Sequence, residues 1–531
     1  MNIKSYLALI CLFPLSSVFA QTGSLDDSFN GNGYVLSSIL SNYNNVATHV
    51  AVQVDGKILA GIAVYGPGLD EYTVIQRYLE DGSLDQTFNG SGQITLKYPG
   101  KEVYLSDILN LPNGKFLVAA NIYNTNNAHY TPALFRFLAN GALDAGFGTN
   151  GVMQQAAVNG YTEMQFAEVD VLPDGKLIVA GYITPNEGAE LCAVFRYQAN
   201  GALDTGFHGD GIATVALGTN YVSVSTLVID SNGKILIGGT YTGDTNYDFM
   251  AIRMHANGTL DNGFNGDGIA IFALTDQDDQ VTGMALQSDG KIVLGGYARD
   301  MPGVASTDFA VMRLTTDGNL DPTYSEDGSN IVSVGSGNDA AYTMVMQPDG
   351  KVVLAGYISN NTGGADFAMA RFTTNGNLDN TFSGDGKVVV PIVSNNTDAI
   401  YAVALQPDGK IVAAGIARTG DNNSFVLARF ISGVLVGTQD TGSQISETLL
   451  YPNPLKDQAQ LEYHLESATD VSINLYDVQG KLIQNLLAAV PRGAGIQRET
   501  LYFNKVPAAG TYLLRIETGG GIKQMKVVVM Q

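Results

Sequence analysis

A block reading Leu-Asp-x-x-Phe occurs seven times along this 531-residue chain, and that repetition limits the fold more than any other feature. Its acid falls at Asp26, Asp85, Asp144, Asp204, Asp261, Asp321 and Asp379, with Tyr324 replacing Phe in the sixth copy. An (Asp/Asn)-Gly-Lys turn keeps the same rhythm at Gly56, Gly114, Gly175, Gly233, Gly290, Gly350 and Gly409. So does an Arg followed by an apolar, usually aromatic, residue: Arg77, Arg136, Arg196, Arg253, Arg313, Arg371 and Arg429. Successive acids lie 57–60 residues apart. A fixed period of this length marks one supersecondary unit copied in tandem.

The copy at 399–431 shows what the unit builds. Residues 399–406 alternate, Pro407, Asp408, Gly409 and Lys410 turn the chain, and 411–415 return, which predicts a hairpin. A variable loop leads to a third strand at 424–430. In earlier copies a long turn, such as 374–386, delivers a fourth strand at 387–391. No useful stretch of 3.6-residue periodicity appears, so each copy predicts a four-stranded antiparallel meander. A lone sheet that is apolar on both faces cannot bury them, and radial repetition can. The expected fold is all-β: a seven-bladed β-propeller followed by a small C-terminal antiparallel β-sandwich, the alternative to the propeller being an open β-solenoid. One strand is spare at the start of the repeats and one is missing at the end. Ring closure therefore predicts that 33–41 completes the sheet built from 399–431. In its Gly-x-Leu-Asp-x-x-Phe blocks the region 25–430 resembles the delta-60 repeat family, whose repeats are described as β-propeller units of unknown function.

The ends of the chain speak to compartment. Residues 1–20 hold Lys4, an apolar run too short to span a bilayer and a small residue at Ala20, the pattern of a signal peptide cleaved after Ala20. Its removal takes one Lys and no acid, moving the net charge from −23 to −24. That leaves Cys192, which cannot form an internal disulfide and sits where other copies have Phe249, Phe309, Phe367 and Phe425. It reads as a small buried hydrophobe. No later stretch suits a transmembrane helix, and the acidic balance argues against nucleic acid as a partner.

Recurrence separates structure from function, because a fold needs a residue in every copy and a site seldom does. The pairs Arg77–Asp85, Arg136–Asp144, Arg196–Asp204, Arg253–Asp261, Arg313–Asp321 and Arg371–Asp379 are therefore expected to hold the turns, in a partly buried setting. Strand order puts the Gly-Lys turns and the Leu-Asp turns on one face. The other face carries loops that differ in every copy: 65–72, 121–130, 184–190, 241–248, 299–308, 359–366 and 419–423. Recognition is expected on that diverse face. Tyr182, Tyr241, Tyr297 and Tyr357 form its candidate binding rim, readable as strand-end packing or as a stacking surface for sugars or peptide. No catalytic residue, metal site or cofactor is indicated: His49, His129, His208, His255 and His464 share no motif, and Asp278 and Asp279 read as a solvated turn.

Residues 432–449 are rich in Gly, Ser and Thr and read as a flexible linker. From 450 to 531 alternation returns, predicting six or seven strands in a small sandwich. Tyr451, Pro452, Asn453 and Pro454, then Leu475 to Gly480, then Gly510 and Tyr512, and finally Lys526 with its run of valines, resemble the type A C-terminal sorting domain of the type IX secretion system of Bacteroidetes. The resemblance implies export across the outer membrane, the secretion machinery as partner, and cleavage or surface attachment afterwards. The expected organisation is thus 1–20 signal peptide, 21–431 propeller, 432–449 linker and 450–531 sorting domain. The expected role is a secreted or surface-displayed, monomeric binding or scaffold module with an extracellular glycan or protein ligand. The alternatives are an extracellular polysaccharide-degrading enzyme with acids at the propeller mouth, or a purely structural adhesin component.

Overall fold

A computed structural model describes residues 22–433 and 445–529, apart from 112–113, 218–221, 244–245, 300–305, 360–362, 452–454, 456, 478–481, 504–509 and 519–520. The repeat region forms seven four-stranded antiparallel sheets. Their innermost strands are Asn44–Val52, Lys101–Asn110, Tyr161–Val171, Val222–Ile229, Asp279–Leu286, Asp339–Met346 and Asp398–Leu405. Each innermost strand packs against the next, and the last packs against the first, so the sheets are blades of a closed ring. An open solenoid is excluded.

Closure uses the two ends of the repeat region. Tyr34–Ser37 pairs antiparallel with Asn422–Phe430, Tyr34 opposite Ala428 and Ser37 opposite Phe425, and so completes the sheet of 398–430. Upstream of it, Asp26 N donates to Arg429 O at 2.8 Å and Ile431 N to Ser24 O at 2.9 Å. The seventh blade is thus assembled from both termini of the ring.

Middle strands such as Ile58–Gly66 and Val352–Ser359 are buried on both faces, because a neighbouring blade covers each side. That explains their continuous apolar runs where a one-sided sheet would alternate. Innermost strands carry a β-bulge in every blade, leaving one extra residue: Thr48, Ser106, Ala167, Ser225, Thr282, Tyr342 and Tyr401. In the last five blades the bulge turns a carbonyl toward a glycine of the second strand (Gly181, Gly239, Gly296, Gly356, Gly415), while the first two blades have Ile62 and Ala120 there. A Cβ on Gly356 would lie 1.9 Å from Ala340 O.

Blade joins blade through one latch, copied seven times. Arg77 Nε lies 2.9 Å from Asp85 Oδ2, and the distances for Arg136–Asp144, Arg196–Asp204, Arg253–Asp261, Arg313–Asp321 and Arg371–Asp379 are 2.7–2.8 Å. Arg429 makes the seventh pair with Asp26, at 2.8 Å across the seam. Each guanidinium also sits over the aromatic ring of its own Leu-Asp-x-x-Phe block, 4.4–4.8 Å from the centroid. Its free nitrogen donates to a backbone carbonyl of the following blade: Ala139, Ala199, Ala256, Thr316, Thr374, Ser432 and, closing the circle, Glu80. The Lys of each Gly-Lys turn reaches the same carboxylate, as in Lys234–Asp261 at 2.7 Å and Lys351–Asp379 at 2.9 Å. Lys57 is the loosest, 4.0 Å from Asp85. All seven acids are buried. After each aromatic comes a residue with φ between +48° and +55° (Asn30, Asn89, Gly148, His208, Asn265, Ser325, Ser383), whose N–H bonds the turn of the next blade. Asn, Ser and His bear that conformation here because the bond is made in every copy.

The C-terminal strands form a sandwich of a three-stranded sheet (Ile445–Tyr451, Gln458–Leu465, Gly495–Tyr502) and a four-stranded one (Leu482–Arg492, Thr469–Asp477, Gly510–Thr518, Gly521–Val529). Leu461, Tyr463, Leu465, Ile473, Leu475, Leu514, Ile516 and Val527 fill the core between them. The first strand starts at Ile445, inside the stretch read as linker, and Ser432 at its other end belongs to the ring.

Removing a buried latch acid leaves an uncompensated guanidinium, so Asp26→Ala at the seam and Asp261→Ala within the ring should each cost about 3–5 kcal/mol in urea denaturation. Lys57→Ala, whose ammonium is partly solvated and 4.0 Å away, should cost under about 1 kcal/mol.

Candidate recognition face and ring axis

Strand direction places the Gly-Lys turns and the latches on one face of the ring. The loops between second and third strands lie on the other, together with the connections that lead from each outer strand into the next blade. Several of the diverse loops are tighter than expected: the strands run to Gly66 and resume at Leu69, run to Asn124 and resume at His129, and run to Thr419 and resume at Asn422.

Under the connections, buried carboxylates tie the loops down. Asp279 Oδ2 accepts the N–H groups of Leu274 and Thr275 at 2.7 and 2.9 Å. Asp339 does the same for Val334 and Gly335, both at 2.7 Å, and Asp398 for Ile392 and Val393 at 2.7 and 2.8 Å. Asn45 holds Ile39 and Leu40 in the first blade. Asp279 is fully buried, so it is a loop anchor and not half of a solvated acid pair.

The expected rim tyrosines lie in the second strands of the third to sixth blades. Tyr182, Tyr297 and Tyr357 share one position, opposite Gln165, Gln280 and Ala340, whereas Tyr241, opposite Val222, stands one residue further on, and Thr240 holds the shared position in the fourth blade. All four are half-buried. Tyr182 donates to Gln165 Oε1 at 2.9 Å and Tyr297 to Gln280 Oε1 at 2.7 Å. They do not form one site. Tyr297 and Tyr357 meet through Tyr342, whose ring centroid is 6.5 and 5.4 Å from theirs. Tyr342 in turn stacks on Tyr401 at 5.5 Å and 12°. Tyr65 and Tyr401 pack with Tyr357 against Val46, Ala63, Ala399 and Ile416. Tyr241 packs against the apolar cluster between the third and fourth blades.

The opposite arc, in the first three blades, is richer in acid. Tyr130 lies 4.8 Å from Tyr123 and 6.1 Å from Tyr104. Tyr104 donates to Glu102 Oε2 at 2.5 Å, and Glu163 accepts Tyr130 N at 3.3 Å and lies 3.1 Å from His129 Nδ1. Burial, aided by the charge of Glu102, pushes Glu71 up to about 7.

Nearer the latch face, three carboxylates lie on the innermost strands of the second and third blades. Asp107 Oδ2 accepts Val169 N of the next blade at 3.1 Å, and Glu168 accepts Leu227 N of the blade after that. Burial raises Asp107 to about 7 against the pull of amides from Val169 and Ile108, with Asp170 adding repulsion. Burial and the charge of Asp107 raise Glu168 well above the carboxylate range, and burial also raises Asp170. His49, on the first blade, is held down at about 4 by burial. Among the described residues no group of three or more His, Cys, Asp or Glu could hold a metal ion. Cys192 is buried, in register with Tyr182 and Val215, and burial pushes its thiol up to about 12.

Of the sorting-motif residues, Tyr451 ends the first strand of the sandwich with its ring exposed, opposite Gln460. Gly510 and Tyr512 lie on one strand, Tyr512 buried, and Lys526 pairs with Leu513 on the last. Pro452, Asn453, Pro454, Gly480 and the cleavage point after Ala20 lie outside the described residues.

Fold and latch together define a closed-ring protein of tandem blades with an appended sandwich. The family described as "Domain of unknown function (DUF5122) beta-propeller" matches residues 111–147, 172–207, 231–264, 287–324, 347–382 and 406–431. The first five segments each run from the Gly-Lys turn to the latch aromatic, which is the latch unit itself. The "Secretion system C-terminal sorting domain" family matches 449–530. The chain is a DUF5122 β-propeller followed by a type IX secretion sorting domain, which directs it to the cell surface or extracellular space. No described helix is long and apolar enough to cross a membrane.

No curated protein matches. Among solved structures, an acylaminoacyl peptidase of Pyrococcus horikoshii is similar at 8% identity and TM-score 0.35, over 80% of this chain and 59% of that one. The chain thus spans less than two thirds of that protein. The WD40 domain of SCAP from fission yeast matches at 7% and 0.33, over 75% and 98%. An endo-arabinase from Bacteroides thetaiotaomicron matches at 10% and 0.29, over 61% and 93%. Likenesses this distant transfer neither activity nor ligand to this chain.

The two sets of acids give opposite pH dependences. For Asp379, burial alone would raise its pKa, but hydrogen bonds from Thr381 and Lys351 and the charge of Arg371 outweigh it and hold the acid at about 2. A depressed acid stabilises the fold above its unfolded value of about 4 and loses that contribution as pH falls toward 2. Asp107 is raised to about 7, so its contribution is complete below about pH 4 and is lost as pH climbs through 7; Glu168 is raised as well and acts in the same direction. Melting temperature should therefore decline from pH 5 to pH 8, and Asp107→Asn with Glu168→Gln should flatten that decline. A slope unchanged in the double variant would contradict this.

Proposed function

We propose that the exported propeller is a recognition module whose loop-bearing face binds an extracellular ligand, while the latch face serves assembly alone. The observation that carries this reading is the contrast between the two faces. Arg, Asp, Lys and aromatic recur in all seven blades on one side, whereas the other differs in every blade and holds half-buried tyrosines. Tyr182, Tyr241, Tyr297 and Tyr357 belong to this surface, as do Tyr342 and Tyr401. Within the same reading, 1–20 is a signal peptide removed after Ala20, 21–431 the propeller and 450–531 the sorting domain, with the linker expected at 432–449 shortened by Ser432, which is held in the ring, and by the sandwich strand that starts at Ile445. The mature protein acts as a monomer. In a glycan and protein binding screen, exchanging the loops at 184–190 or 419–423 for those of another blade should abolish a hit. Exchanging a Gly-Lys turn should leave it intact, and the reverse result would assign recognition to the wrong face.

A hydrolytic reading draws on Glu71 and Glu102, two carboxyls of adjacent blades on the same face, one of them raised to about 7. Such a split suits an acid and a base sharing one site. Were it so, reducing ends would accumulate on incubation with polysaccharides and Glu71→Gln would stop them; a binding module releases none. Deleting 434–531 should strand the propeller in the periplasm on cell fractionation.

A further inference from the structure

We infer that the loop-bearing face takes a neutral saccharide, stacked on a platform formed by Tyr342 and Tyr401 and bordered by Tyr297, Tyr357 and Tyr65. This names the ligand class for the recognition reading above and rests on it.

The fold does not require these rings. Tyr342 and Tyr401 are the bulged residues of the sixth and seventh innermost strands, and the same position is filled by Thr48, Ser106, Ala167, Ser225 and Thr282 in the other five. A bulge that forms around Ala, Ser or Thr in five blades is not built by tyrosine in two. The substitution is adjacent and paired: the two rings come from neighbouring blades and lie nearly parallel, 12° apart at 5.5 Å. Tyr357 tilts against Tyr342 at 5.4 Å and Tyr297 meets it edge-on at 6.5 Å, so four rings from three blades make one continuous surface. None of the five tyrosines is fully buried.

The chemistry favours a sugar. The two stacked rings are only half-buried, and the π surface they leave uncovered attracts the positively polarised C–H groups on the flat side of a pyranose. A cage for an ammonium ion would instead enclose its guest between crossed rings. A polar group borders the rings: Tyr297 already donates to Gln280, whose amide nitrogen is a donor for a sugar oxygen. Ring faces for stacking, with polar groups at their edges, match what a carbohydrate presents.

Calorimetry on the full chain with cellohexaose, mannohexaose and xylohexaose tests the assignment. At least one should bind, and Tyr342→Ala with Tyr401→Ala should weaken it about tenfold or more. Tyr342→Phe with Tyr401→Phe keeps both faces and should stay within a few-fold of the parent. Thr282→Ala, one blade away, reports whether any loss is a general effect on the bulges, and melting curves confirm that each variant folds. The inference fails if none of the three sugars binds at about 1 mM. It fails equally if the alanine pair binds as well as the parent, or if tetramethylammonium or a proline-rich peptide binds at the tyrosines in their place. A partner lost on loop exchange but indifferent to Tyr342 and Tyr401 would overturn the saccharide and leave recognition by this face standing.

Discussion

The whole ring depends on a guanidinium shared between two blades. Each latch Arg spends one nitrogen on the Asp of its own turn, its flat face on its own aromatic, and another nitrogen on a carbonyl of the blade that follows. A bare buried ion pair is seldom net stabilising, because desolvation offsets the attraction. Here the carboxylate is further satisfied by backbone and hydroxyl donors, as with Thr323 on Asp321, and by the turn lysine. The planar fork of arginine is what allows three partners at once, and lysine could not replace it. Because the last link joins Arg429 to Asp26 and Glu80, the circle is fastened at its seam by the same chemistry that fastens it elsewhere.

Much of this was legible in the residues. The seven-fold period gave the blades, and counting strands at the two ends pointed to the pairing of Tyr34–Ser37 with the last sheet. The Arg and Asp series could be seen to travel together, eight residues apart. What the sequence concealed was the third partner. Lys57, Lys115 and their equivalents up to Lys351 lie 27–30 residues before their acids, and nothing local links a hairpin turn to a loop two strands later. The carbonyl of the next blade is equally invisible, since a backbone acceptor leaves no mark on residue identity.

The candidate site was only partly readable. Tyr182, Tyr241, Tyr297 and Tyr357 are legible because they stand near strand ends beside diverse loops, yet the fold divides them among separate packing groups. Tyr342 and Tyr401 escaped notice, although a signal exists: each lies five residues before a Gln, where Thr48 and Thr282 stand before Gln53 and Gln287. Once the copies are aligned by those glutamines, the two tyrosines are the departures from a small residue. Asp279 shows the converse error, for an acid in a polar stretch turned out to be buried by the backbone amides it accepts.

The chain leaves the ring at its seam. Ser432 is gripped by Arg371 and Gly433 lies against Thr22, so a pull on the C-terminal tail enters the molecule through Asn422–Phe430. That strand is flanked by Ile411–Thr419 on one side and Tyr34–Ser37 on the other, and its cross-strand bonds run perpendicular to the load. Tension is then shared among many bonds in shear instead of unzipping them singly. A tether attached there loads a strand that is paired on both sides.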